Sequence, residues 1–282
     1  MLYWLLAILV VASYFLGNIN FAKILSKISK VDISKEGSGN PGTTNMLRSV
    51  GAKMGVFTLI LDMLKGIIPA LAGYYVFGGA SGVFPDALIG LYSCGLASML
   101  GHIYPVLYKF KGGKGAATML GVFVVAQPLV FAIWVVVGLA VILPTKYISL
   151  FSMSSICVLV IAQNILMPTY SFAVSMLTFA MFVLMWFAFR SNIKRFLVGK
   201  ENVTDLGKAL AKDRERKAKK LEADRLKKEK TEEKEERHAE KIAEKEEHIA
   251  ERIAEKEEKL AEKETVKEER IAEKEAWRGR KK

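Results

Sequence analysis

From residue 1 to about residue 199 the chain is a succession of apolar segments long enough to cross a membrane, near 2–24, 54–77, 84–106, 150–168 and 170–189. A bilayer's hydrocarbon core of about 30 Å takes roughly 20 residues of helix, and within it each backbone polar group must bond inside its own segment or close a barrel. The pattern predicts an all-α polytopic membrane protein. A further apolar run, Gly115 to Leu143, is 29 residues long, with Gln127-Pro128 at its middle. Proline removes a helix donor and pushes its predecessor out of the helical region, so the run is expected to break there into two short helices, giving seven spans. The N-terminal stretch Leu2 to Leu16 lacks a basic flank, so it reads as a retained first span rather than a cleaved signal.

Charge orients these spans. Of the 41 Lys and Arg, 27 fall after residue 199, together with 25 of the 29 Asp and Glu, so nearly all of the +12 net charge belongs to the apolar part. There it gathers around three loops and one end: Lys23, Lys27, Lys30, Lys35, Arg48 and Lys53; Lys109, Lys111 and Lys114; Lys146; Arg190, Lys194 and Arg195. The intervening loops, Gly78 to Pro85, Gln127-Pro128 and Pro168-Thr169, carry no Lys or Arg. With seven spans all basic groups share one side, which the positive-inside rule makes cytoplasmic, with the N-terminus outside. Six spans would split them.

The first basic loop, Lys35 to Arg48, packs three glycines, two asparagines and three hydroxyls between two spans. Glycines let backbone N–H groups converge, and Arg48 adds a fork suited to phosphate or carboxylate, so the loop suits an anion at a membrane surface. Ser38, Gly39, Asn40 and Asn45 are its candidate donors; a plain flexible connector is the competing reading. Gly112-Gly113-Lys114-Gly115 opens an apolar helix and offers free amides, a positive dipole end and an ammonium. It is not a Walker A loop: Tyr108 stands where the first glycine belongs and Gly115 replaces the magnesium-binding hydroxyl. Gly37, Gly39 and Gly42 match a dinucleotide fingerprint only by spacing, with Pro41 inside it and no parallel sheet in prospect.

Other candidates are less specific. His102 could act as a base or simply pack at the end of the third span, and no carboxylate stands at catalytic spacing, position 107 being Leu. Ser149 and Ser152 open a span, where hydroxyls bind substrate or cap a helix. Arg190 and Asn192 follow the last span, where anchoring competes with ligand binding. Asp62 and Lys65 lie one helical turn apart within the second span, either as an internal ion pair or with a direct role. Ser13, Gly17 and Asn18 form a small-polar stripe on the first span. Cys94 and Cys157 have neither disulfide nor metal-site spacing. Neither a metal, a cofactor nor nucleic acid is expected. Several anion-binding clusters at one membrane face suit an enzyme that joins an anionic soluble substrate to a lipid-soluble one. An organic-anion transporter would share the basic loops, yet few polar residues thread the mid-bilayer.

Four segments resemble the signature motifs of the bacterial acyl-phosphate:glycerol-3-phosphate acyltransferases, the PlsY family. They are Gly37-Ser-Gly-Asn-Pro-Gly-Thr-Thr-Asn-Met-Leu-Arg48, Gly101-His-Ile-Tyr-Pro with Phe110-Lys-Gly-Gly-Lys-Gly115, Tyr147-Ile-Ser-Leu-Phe-Ser152, and Arg190-Ser-Asn-Ile-Lys-Arg195. In order and spacing they cover about residues 1–202. The resemblance implies a seven-span fold that transfers a fatty acyl group from acyl phosphate, without acyl-CoA, to the 1-hydroxyl of glycerol 3-phosphate. It also implies that Ser38, Arg48, Lys114 and Asn192 carry the chemistry. Gly39, Asn40, Asn45, His102, Gly112, Gly113, Gly115, Ser149, Ser152 and Arg190 would bind the substrates and their phosphates. The chain departs from the pattern at Phe189, where the family usually has His, and at Ser34, where it has Arg. Either that histidine is dispensable here, or His102 compensates, or activity is reduced.

Residues 203–282 lie outside the resemblance. Ile-Ala-Glu or Leu-Ala-Glu recurs at 242, 249, 253, 260 and 271, which keeps one thin apolar row on a helix. Lys256 and Lys263 fall at would-be core positions, so a tight coiled coil is disfavoured. The expectation is a long charged cytoplasmic helix without a catalytic role, either solitary, weakly self-associating or in contact with other proteins.

Overall fold

A computed structural model describes residues 2–79, 87–166 and 171–279, which form helices and no strand. The described residues hold eleven α-helices in order: α1 (Leu2–Asn18), α2 (Phe21–Ile28), α3 (Thr43–Ser49), α4 (Ala52–Tyr74), α5 (Ala87–Ile103), α6 (Ala116–Ala126), α7 (Pro128–Thr145), α8 (Ile148–Ile161), α9 (Phe172–Ala188), α10 (Arg190–Leu197) and α11 (Leu206–Gly279). Two compact units result, Met1–Arg216 and Lys217–Lys282. The loops expected at Gly78 to Pro85 and Pro168-Thr169 lie wholly or largely outside the described residues.

Among the described residues, five helical stretches are long and apolar enough to cross a bilayer, Trp4–Ile28, Ala52–Phe77, Ala87–Tyr108, Pro128–Thr145 and Ile148–Ile165, and α9 with α10 makes a sixth if the pair, bent by 53°, is one span. The long apolar run breaks where proline requires: α6 ends at Ala126 and Pro128 takes the first position of α7, whose missing N–H costs nothing there. α6 is an 11-residue helix and α7 an 18-residue one, against about 12 and 15 from the sequence. The polar break is sealed inside protein: Gln127 is buried and its amide donates to the Gln163 side-chain oxygen, which also accepts from Tyr92 Oη at 2.5 Å.

Helix approach is set by small residues, as the stripe on the first span anticipates. A Cβ on Gly17 would strike the backbone carbonyl of Ser98, and one on Gly101 would strike that of Tyr14, so α1 and α5 touch backbone to backbone. α4 contains Pro69, which has no N–H for the carbonyl of Lys65 one turn earlier; Ser98 Oγ on α5 donates to it instead at 2.5 Å. On α4 the Asp62–Lys65 pair forms an ion pair of 2.8 Å with both side chains at most 2% exposed, and Lys65 Nζ also donates to the carbonyl of Ile19 at 2.9 Å. The core between α5, α6, α8 and α9 is apolar, with Tyr92, Met99, Phe123, Ile156, Leu159 and Met181 fully buried.

Candidate functional site

At one end of the membrane unit the three polar loops and the start of α10 meet. Lys114 stands just before α6, whose first amides face the loop because Gly115, at φ +81°, turns the chain into the helix. The glycine loop rests on α5: the Gly112 N–H donates to the carbonyl of Ile103 at 3.2 Å and that of Gly113 to the carbonyl of His102 at 3.1 Å. The Lys114 ammonium donates to Asn192 Oδ1 and lies 4.9 Å above the centre of the Phe189 ring. Burial, and next the nearby Arg195 charge, bring the Lys114 amine down to about 8. Phe189 thus gives the ammonium a π face at the position where the resemblance implied a histidine.

Glu201 ties this group together. Its carboxylate, 2% exposed, accepts from Asn192 Nδ2 at 2.9 Å, Ser149 Oγ at 3.0 Å and Arg195 Nε at 3.1 Å. A buried carboxylate holding three donors fixes the rotamers of all three side chains. Sequence reasoning did not single it out, although a lone acid closing the basic stretch Arg190 to Lys200 was a usable signal. Beside it a cleft of about 70 Å³ between α8 and α10 is lined by Ser149, Leu150, Met153, Asn192, Ile193, Phe196, Leu197 and Glu201. Its exposed lining residues Leu150, Phe196 and Leu197 are apolar, while Ser149 and Asn192 are buried.

The first loop joins from the other flank. Asn45 organises it: its side-chain oxygen accepts the Ser38 N–H at 3.0 Å and its amide donates to the carbonyls of Ile33 and Glu36 at 3.2 and 2.9 Å. Gly39, at φ +69°, turns the chain back, and Asn40 lies half-buried beside it. Arg48, at the end of α3, donates through Nε to Thr204 Oγ1 at 2.7 Å and through Nη2 to the carbonyl of Asn202 at 2.9 Å. Burial pulls its guanidinium below the ordinary value, with Glu201 opposing the shift and Arg195 adding to it.

Not every expected residue joins this group. His102 is buried beneath the glycine loop with Nδ1 3.8 Å from Asp62 Oδ1, in the interior of the helix packing. Ser152 turns its hydroxyl back to the carbonyl of Ile148 at 3.0 Å, a bond within its own helix. Arg190 is exposed, stacked 4.4 Å over Phe187 at the start of α10.

The sequence profile described as "Glycerol-3-phosphate acyltransferase" matches residues 7–199. A glycerol-3-phosphate acyltransferase of Finegoldia magna is 39% identical over 201 residues, covering 71% of this chain and 96% of the relative. Another, from Aquifex aeolicus, is 40% identical over 196 residues, covering 69% and 96%. Among solved structures, the integral membrane glycerol 3-phosphate acyltransferase PlsY (YgiH) in its glycerol 3-phosphate form superposes with a TM-score of 0.65 at 37% identity, over 73% of this chain and 98% of that one. The relatives are therefore matched over almost their whole length by roughly the first 70% of this chain, and most of the long α11 is additional. Profile, relatives, fold and motif order agree: the chain belongs to the integral membrane glycerol-3-phosphate acyltransferase family.

Proposed function

We propose that the protein transfers a fatty acyl group from acyl phosphate to the 1-hydroxyl of glycerol 3-phosphate, forming 1-acyl-glycerol 3-phosphate (lysophosphatidate) and inorganic phosphate, the opening step of phospholipid synthesis in a bacterial cell membrane. The single observation that carries this reading is the desolvated Lys114 ammonium at the start of α6, grouped with Arg48, Arg195 and Asn192 beside a cleft with an apolar outer wall. Phosphate groups seat at Lys114, the helix-start amides and Arg48; the acyl chain lies toward the apolar side.

The reaction balances without cofactor or metal. The glycerol hydroxyl oxygen attacks the acyl carbonyl carbon, the bond from that carbon to the bridging phosphate oxygen breaks, and phosphate leaves with the electron pair. The hydroxyl proton passes to a phosphate oxygen. Because a mixed anhydride is already activated, positioning and stabilisation of the departing charge carry the rate, and no strong side-chain base is required. Lys114 stabilises that charge, Arg48 holds the phosphate of glycerol 3-phosphate, Asn192 orients Lys114, and Ser38 and Ser149 orient the substrate hydroxyl. Gly39, Asn40 and Asn45 shape the first loop, Gly112, Gly113 and Gly115 the second, and Ser152, Arg190 and His102 support from the periphery.

The proposal includes seven spans with the N-terminus outside, residues 1–202 as the acyltransferase domain, and residues 203–282 as a cytoplasmic tail. Its support is geometric. Lys114 bonds Asn192, and the Thr204 N–H donates to the carbonyl of Lys146 at 2.9 Å, so α6 and α7 begin and end at the same end of the bundle. This supports a pair that enters and returns. Membranes containing the protein, given labelled glycerol 3-phosphate, form lysophosphatidate with acyl phosphate and not with acyl-CoA; no product from acyl phosphate would overturn the reading.

A further inference from the structure

Residues 201–216, which follow the stretch matched by the profile, bond to the ends of three helices, α2, α3 and α4. Thr204 Oγ1 and the carbonyl of Asn202 take two donors of Arg48. One helical turn into α11, Ala209 is 2% exposed. Lys212 Nζ then donates to the carbonyl of Arg48 at 2.7 Å and that of Ser49 at 3.4 Å, carbonyls that the last turn of α3 leaves without helix partners. Asp213 Oδ2 accepts the Lys53 N–H at 2.8 Å, at the start of α4, where Gly51 offers no side-chain cap. Arg216 reaches the carbonyl of Ser29 at 3.4 Å, where α2 ends. Gly51 sits at φ +141°, and a Cβ there would collide with the Asp213 carboxylate, so this approach needs glycine.

We infer that Thr204, Lys212 and Asp213 are positioning residues, a clamp through which the root of the charged tail holds Arg48 in phosphate-binding geometry. A guanidinium carries five N–H donors in a rigid plane. Here Thr204 and Asn202 consume two of them and fix the plane, leaving three for an anion, while Lys212 and Asp213 pin the turn between α3 and α4 from which Arg48 projects. The profile match stops at residue 199, before every residue of the clamp. The tail is thus not a mere appendage: its first turns act on the site, and all of these contacts come from residues up to Arg216.

The inference rests on Arg48 binding a substrate phosphate, and the test separates the two. With full-length protein and acyl phosphate saturating, the KM for glycerol 3-phosphate is compared with kcat. Thr204→Val is expected to raise KM about tenfold, since the fork must then be ordered on binding, with kcat within about twofold. Thr204→Ser keeps the hydroxyl and should restore the native KM. Lys212→Met with Asp213→Asn should raise KM by about threefold to tenfold. In an Arg48→Lys background, Thr204→Val should add nothing, because the clamped group is gone. If Arg48→Lys raises KM and Thr204→Val does not, the clamp is overturned while the phosphate role of Arg48 stands. If Arg48→Lys leaves KM unchanged, the phosphate role itself falls.

Discussion

Lys114 is held at a working compromise. Its amine titrates near 8, because burial and the Arg195 charge weigh against the ammonium while Glu201 supports it. An amine whose folded value lies below the ordinary 10.5 is charged in both folded and unfolded states at pH 6, but between about 8 and 10.5 only the unfolded chain holds the proton. The desolvation penalty is thus present at neutral pH and relieved above 8, so stability rises with pH through that window. Activity should move the opposite way. If the ammonium binds phosphate, kcat/KM falls along an alkaline limb centred near 8 as the free enzyme loses this proton. Phe189→Leu keeps an apolar residue but removes the ring face 4.9 Å from Nζ. The lost cation–π attraction, about 0.5–2 kcal/mol, should shift the limb to lower pH and lower kcat/KM on its alkaline side roughly 2- to 30-fold. A pH series on both proteins, with kcat and KM resolved at each point, checks the two effects together; an unmoved limb would remove Phe189 from the site.

At the scale of the helix, α4 shows what a membrane segment must do to carry charge. The Asp62–Lys65 pair is shielded almost completely and lies next to the one carbonyl that Pro69 leaves without a helix donor. Asp62→Asn leaves an ammonium in the interior with the Ile19 carbonyl as its remaining named partner. It should cost about 3–5 kcal/mol, whereas Asp62→Leu with Lys65→Met removes both charges and should cost far less. Thermal unfolding in detergent distinguishes them, and equal losses would mean the pair is not the stabilising unit. This pair was legible in the sequence because it is local, one turn apart on a helix already implied by its apolar frame. So were the break at Gln127-Pro128 and the placing of Lys114 at a helix start, both fixed by nearest-neighbour backbone rules. The partners of Arg48 were not. Thr204 lies 156 residues away and Asn202 two before it, and nothing local in a charged tail marks a hydroxyl as a ligand of a distant guanidinium. For His102 the motif implied a place among the phosphate ligands and its position at a span end implied packing; it lies under Gly113 and faces Asp62, a partner that no local spacing marks.

For the whole molecule the decisive quantity is which end each loop occupies. α6, with 11 residues, rises only about 16 Å, and α7, with 18, about 27 Å, so length alone does not tell whether the pair crosses twice. Bonding at their far ends constrains the answer more strongly. Lys146 shares its end of the bundle with Thr204 and with Asp205, 3.7 Å from its ammonium, and Thr204 in turn holds Arg48. A six-span arrangement would carry Lys146 and Lys200 to the face opposite Lys35 and Lys109, stretching these contacts across the bilayer. Those four lysines are all exposed and suit cysteine scanning once Cys94 and Cys157 are replaced by Ser. In the seven-span arrangement each single cysteine reacts with a membrane-impermeant maleimide in inside-out vesicles and stays unreacted in intact cells. Reaction of Lys146→Cys from outside the cell, with Lys35→Cys labelled from inside, would overturn the topology. It would also break the argument that brings Arg48, Lys114 and Asn192 to one cytoplasmic site, because Lys146 and Arg48 are tied to the same threonine.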